Sequence, residues 1–154
     1  MFISVLLYIY SISLSIFFGS SIFIGYIAAP YIFKTLKSRH EAGSMVGALL
    51  VKFSLLGYIT QVIMIITGYA MYAKNAAALS IFVLPIIILI ILLFSENFTS
   101  KKMNTLKEQM GSLDETPQDD PKRKRFNRLH KWSVKLFLLN ELLCLPLFYF
   151  MFMK

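Results

Sequence analysis

Four long apolar runs leave this chain few ways to fold: about residues 2–29, 53–72, 77–95 and 134–153. Crossing a hydrocarbon layer about 30 Å thick takes roughly twenty apolar residues at the helical rise. A water-soluble domain of 154 residues has no interior large enough for side chains that are 57% hydrophobic. The expected fold is therefore an all-α membrane protein, a four-transmembrane-helix up-and-down bundle. It forms a single membrane domain over residues 1–154, with connections at about 30–52 and 96–133. No basic residue precedes Lys34, and the first run is longer than the core of a signal peptide, so a retained span is expected rather than a cleaved leader.

Charge sets the expected orientation. Of the sixteen Lys and Arg residues, Lys34, Lys37, Arg39 and Lys52 lie in the first long connection, and ten more run from Lys101 to Lys135. Only Lys74 and Lys154 fall on the opposite side. The positive-inside rule makes the basic side cytoplasmic, with both termini outside and long helical extensions on the cytoplasmic side. The formal charge of +8 flanks membrane spans, so it is read as topogenic charge beside anionic headgroups and not as a nucleic-acid surface. A bacterial inner membrane or a plasma membrane is the expected location. A lone cysteine, Cys144, excludes a disulfide within the chain.

Local signals refine the connections. Pro30 marks where the first helix leaves or bends. Ser38 and Glu41 form an S-x-x-E pattern that predicts a helix start with a capping box. Ala42, Met45, Val46, Leu49 and Leu50 recur at helical spacing, which suits a segment lying on the membrane surface. Asp120 and Pro121 read as N-cap and first residue of a helix feeding the fourth span. Small residues mark packing faces: Ser11, Ser15, Gly19 and Gly25 on the first span, Gly57 and Gly68 on the second. One of these faces would also serve a homo-oligomer or a membrane-protein partner.

The stretch "FFGSSIFIGYIAAPYIFKTL", with Gly19, Pro30, Phe33 and Leu36, resembles the first span of the transmembrane protein 205-like family. "RFNRLHKWS", with Phe126, Leu129, His130 and Ser133, resembles the motif opening that family's last span. The family places an asparagine about two turns after the histidine; here Phe137 stands there and Asn140 follows one turn later. The resemblance implies a small four-span membrane protein. It implies no reaction, since the family has no agreed biochemical activity.

Within the spans, ionisable and amide groups are rare enough to question individually. Glu141, beside Asn140, lies well inside the fourth run, and residue counting places Thr60 and Gln61 of the second span and Ser21 of the first at similar depth. An ionised carboxylate facing lipid costs several kcal/mol or neutralises, so an intramembrane polar layer of Ser21, Thr60, Gln61, Asn140 and Glu141 is expected. That layer either ties helices together or forms a proton or cation site. His130 and Ser133 continue the face of Glu141 toward the cytoplasmic interface, where His40 also lies. Lys124, Arg128, Lys131 and Lys135 form a stripe suited to lipid headgroups, with Trp132 as interfacial anchor.

Two histidines with Glu41 make a thin ligand set, so no metal, haem or other cofactor is expected. With no nucleophile–base pair and no Gly-rich phosphate loop, no enzymatic activity is expected either. The leading expectation is a non-enzymatic integral membrane protein of accessory or scaffolding type. The alternatives are a small oligomeric transporter or channel for a proton, cation or small solute around Glu141, and a metal- or cofactor-binding membrane subunit at His40 and His130.

Overall fold

A computed structural model describes residues 1–152, with side chains through Met151. Met153, the expected end of the fourth span, and Lys154 lie outside the described residues. Helix α1 spans Phe2–Ile22, passes through a π-helical turn at Phe23–Ala28, and continues as α2, Ala29–Thr35. Helix α3 is Arg39–Ala73. Helix α4, Ser80–Phe94, runs through a second π-helical turn, Ser95–Ser100, into α5, Lys101–Met110. Helix α6 is Pro121–Phe152, and no strand occurs among the described residues.

These segments make four rods, Phe2–Thr35, Arg39–Ala73, Ser80–Met110 and Pro121–Met151, each long and apolar enough to cross a membrane. At 31 to 35 residues each, they are about 46–53 Å long, well beyond the roughly 30 Å of a hydrocarbon layer. Their polar surplus falls at one end, that of the 30–52 and 96–133 connections, called the basic end below. Large apolar side chains such as Ile66, Ile90 and Leu142 stay exposed along the rods, a surface that lipid covers. The chain is an integral membrane protein.

Packing follows chain order and closes a ring: α1 on α3, α3 on α4, α4 on α6, and α6 back on α1. Tyr10, Phe17, Phe53, Met64, Ile88 and Leu147 are among the buried side chains at its centre. Phe53 is stacked on Phe17 at 5.4 Å and meets Phe137 of α6 at 5.6 Å, so three rods share one aromatic cluster.

One junction shows how a sequence defect is repaired by another helix. Pro85 sits inside α4 and lacks the amide that would bond the carbonyl four residues earlier. That carbonyl belongs to Ile81, and the Tyr10 hydroxyl of α1 donates to it at 2.7 Å in the buried core. Gly68 of α3 admits the same backbone, because a Cβ there would lie 2.9 Å from the Ile81 oxygen. Gly57 is likewise enclosed, by Leu92 and Phe17, and Gly25 by Phe137. Within the chain no other helix packs on Ser15 or Gly19: both are exposed, and nothing lies within 4 Å of a Cβ at Gly19. The buried face of α1 instead carries Tyr10, Ser13, Leu14, Phe17 and Ser21, where larger side chains fill more of the core. Ser11 donates to its own helix at Leu7 and lies 4.0 Å from the Met151 sulfur.

Two further expectations are corrected. The amphipathic stretch after Ser38 does not lie apart on the membrane surface. It is continuous with the second span as the first four turns of α3, its polar side turned toward α5 and α6. Nor does Pro30 end the first helix. The chain widens into the π-helical turn just before it and then resumes helix. A π turn shifts the bonding pattern by one residue, here seen as the Ala29 amide bonding the Ile24 carbonyl, and so accommodates the missing donor. Both predicted N-caps are present, although the Glu41 carboxylate does not return a bond to the Ser38 amide, so the capping box is half formed. Ser38 accepts from the Glu41 amide at 3.2 Å, and Asp120 accepts from the Lys122 and Arg123 amides at 2.7 and 3.3 Å.

Candidate functional site

At the basic end three rods stand apart and line a half-open cavity of about 830 Å³. Its walls come from the first turns of α3, from the second π turn with α5, and from the start of α6. Helix α3 contributes Arg39, His40, Gly43 and Gly47; the π turn and α5 contribute Glu96, Asn104, Lys107 and Glu108; α6 contributes Arg123, Phe126, Asn127 and His130. Both histidines of the chain therefore face one space, although they lie ninety residues apart in sequence.

The polar groups of the walls are unevenly satisfied. Lys107 is half-buried, and its ammonium donates to the Gly43 carbonyl at 3.1 Å, 5.9 Å from the centre of the Phe126 ring. That ring lies parallel to the His130 imidazole, centroids 6.4 Å apart. Glu96 accepts a short hydrogen bond from the Tyr58 hydroxyl. The buried Nδ1 of His40 has no partner. Leaving such an atom unpaired costs about 1–3 kcal/mol.

A strap formed by residues 111–120 crosses the mouth. Gly111 has φ +70°, a conformation glycine adopts without strain, and lets the chain leave α5 sharply. Leu113 tucks into the cavity wall, and the Arg123 guanidinium holds the Leu113 and Thr116 carbonyls. The Asp114 carboxylate closes the strap on α3, accepting from the Ser38 hydroxyl at 2.7 Å and from the Arg39 and His40 amides at 3.2 and 3.3 Å. The Ser38 hydroxyl, then the His40 amide, hold the Asp114 carboxyl below its ordinary value. Asp119 pairs with Lys124 at 3.4 Å, so the acidic loop reaches the first residue of the basic stripe. The remaining stripe residues Arg128, Lys131 and Lys135 are exposed, with the Lys135 ammonium 5.1 Å from the centre of the Trp132 ring.

Deeper in the bundle, all five residues of the expected polar layer are buried. Their partners are not all one another. Ser21 donates to its own helix at Phe18, and Thr60 to Leu56 and Gly57. Glu141 instead accepts from the Tyr26 hydroxyl at 3.0 Å, from within the π turn of the first rod. Gly25 in that turn makes the approach possible, since a Cβ there would meet Phe137 at 2.9 Å and the Glu141 Oε1 at 3.9 Å. Gln61 keeps both amide atoms unpartnered, as do Asn140 at Oδ1 and Glu141 at Oε1. Ser133, half-buried, lies between this interior and the cavity.

Sequence reasoning missed Tyr26, Lys107, Arg39, Arg123 and the strap carboxylate Asp114. The position of Tyr26 four residues before Pro30 was the one available hint, because proline disturbs the preceding turn. No group of three or more His, Cys, Asp or Glu side chains suited to a metal occurs among the described residues.

Residues 12–112 match the family described as a domain of unknown function, DUF4149. The chain belongs to this family. The matched DUF4149 segment includes Gly25, Tyr26, His40, Gln61 and Lys107, and it ends before α6. Two walls of the cavity are therefore DUF4149 sequence, and the third, with His130, lies beyond the match. No curated protein and no solved structure matches the chain.

Proposed function

We infer that this DUF4149 protein is a non-enzymatic ligand-binding protein of an inner or plasma membrane, accessory in type, whose working part is the cavity at its basic end. The observation that carries this reading is the cavity itself: about 830 Å³, walled mainly by three rods and largely apolar, with Arg39, His40, Lys107 and Arg123 among its lining. Ligand pockets commonly fall between about 300 and 1,000 Å³ and carry a few convergent polar groups. By the positive-inside rule this end faces the cytoplasm and both termini lie outside. The exposed residues Arg128, Lys131 and Lys135 then meet anionic headgroups. The resemblance to the transmembrane protein 205-like family fits the same reading.

Gly47 supplies the test. It lines the cavity, and a Cβ there has nothing within 4 Å. Gly47→Trp should plug the space without disturbing the helices. Native mass spectrometry of the full chain in detergent should show a retained small-molecule adduct that the variant loses while keeping its melting temperature. Absence of an adduct from the wild-type chain would sink the proposal.

A second reading, a small proton- or solute-permeation protein, is favoured by a separate observation. Gln61, Asn140 and Glu141 bury four polar atoms without partners in the bundle interior. Water or a passing ion is the natural complement to such atoms. Proton flux into liposomes that Glu141→Gln abolishes would support it, and equal flux with either chain would exclude it.

A further inference from the structure

Resting on the ligand-binding reading above, we propose that the cavity holds a ligand by a phosphate group, placed among His40, Lys107, Arg39 and Arg123.

Unanswered donors carry the proposal. Among the described residues the side-chain ion pair is Lys124–Asp119, so none of Arg39, Lys107 or Arg123 has a carboxylate within 4 Å. The Lys107 ammonium, with three hydrogens to give, has the Gly43 carbonyl as its hydrogen-bond acceptor. Arg123 spends one nitrogen on the strap carbonyls, and its guanidinium carries five donors in all. The His40 Nδ1 is buried and unpaired.

The competing acceptors are already engaged or distant from need. Glu96 is occupied by the Tyr58 hydroxyl, and Glu108 is exposed. Asp114 takes the Arg39 and His40 amides at the α3 N-terminus, which leaves the anion to the side chains of the walls. Those side chains arrive from three different rods. A tetrahedral phosphate offers oxygens in three or more directions, whereas a planar carboxylate serves donors from two. Charge-assisted bonds of this kind are the strong ones, and a phosphate monoester brings about −1.5 to −2 charges.

The remaining walls describe the rest of the ligand. Phe33, Val46, Leu50, Val51 and Met103 give the cavity an apolar side next to the membrane. An apolar group attached to the phosphate is thereby accommodated. Such a phosphate monoester comes either from the bilayer, as phosphatidate, or from solution.

Native mass spectrometry of the full chain, offered matched probe pairs in detergent, separates these sources. The lipid pair is phosphatidate and diacylglycerol; the soluble pair is glycerol 3-phosphate and glycerol. The phosphate-bearing member of at least one pair should be retained about tenfold or more over its partner. Lys107→Gln should erase that preference, and so should Arg39→Gln, whose exposed side chain keeps the test valid if the first variant folds poorly. Lys74→Gln should leave it intact, because Lys74 caps the far end of α3, away from the cavity and from the basic stripe. Preference within the lipid pair identifies a bilayer ligand, and within the soluble pair a metabolite; either supports the proposal. Equal retention in both pairs, or a preference that Lys107→Gln and Arg39→Gln leave unchanged, overturns it. An adduct displaced by Gly47→Trp but indifferent to phosphate would overturn this inference alone and leave the ligand-binding reading standing.

Discussion

Removing the Tyr10 hydroxyl should cost stability in proportion to what Pro85 has left undone. In Tyr10→Phe the Ile81 carbonyl loses its 2.7 Å donor, and Pro85 has no amide to replace it. The carbonyl is in the buried core, next to Gly68 and away from water. A buried acceptor left unsatisfied costs about 1–3 kcal/mol. Pro85→Ala changes the reference, because an alanine amide at that position bonds the Ile81 carbonyl within α4. In that background Tyr10→Phe should cost about 1 kcal/mol or less, giving a coupling of about 1–2 kcal/mol. The assay is a double-mutant cycle in mixed micelles, with unfolding by sodium dodecyl sulfate followed through the single tryptophan, Trp132. Costs of Tyr10→Phe that agree within about 0.5 kcal/mol in the two backgrounds would refute the link between proline and tyrosine.

The same helix contacts dictate three other outcomes. Gly68→Ala meets helix backbone at 2.9 Å, whereas Gly19→Ala meets nothing. The first should destabilise by about 1–3 kcal/mol relative to the second in the same unfolding assay, and equal effects would mean that α3 and α4 do not approach as described. Tyr26→Phe strips Glu141 of its hydrogen bond and should lower stability in the same assay, and by less in a Glu141→Leu background. Equal losses in the two backgrounds would argue against a contact between these side chains. The Asp114 carboxyl is held below its ordinary value, so the stability it lends the strap is present above the unfolded carboxyl value and is lost as pH falls through the lower folded one. Hydrogen-exchange protection of the Arg39 and His40 amides should therefore persist through mildly acidic pH and collapse only below the usual carboxylate range; in Asp114→Asn that acid-dependent step should vanish.

How much of this was legible in the sequence depends on the distance between partners. Hydropathy alone marks the four rods, since twenty apolar residues have one use in a bilayer. Caps were readable because Ser38 with Glu41, and Asp120 with Pro121, act within one turn. The continuity of α3 was not. Helical periodicity over Ala42–Leu50 establishes an apolar face without saying whether lipid or another helix covers it. Small residues carry a related ambiguity: Ser15 and Gly19 allow close approach, but within the chain α1 buries the face that carries Tyr10 and Phe17. Glu141 was an obvious anomaly, yet its partner Tyr26 is 115 residues away and sits in a π turn that no periodicity reveals. Convergence of His40, Lys107, Arg123 and His130 required three rods to stand side by side at the basic end, which is a property of the bundle and not of any one segment.

The most direct test is a structure of the full chain in nanodiscs that contain phosphatidate, determined at a resolution that shows side chains. A cavity between α3, α5 and α6 should contain density for a tetrahedral group within hydrogen-bonding distance of Lys107 and His40. A closed space, with Lys107 paired to a carboxylate of the chain and no density beside it, would contradict both the cavity and its ligand.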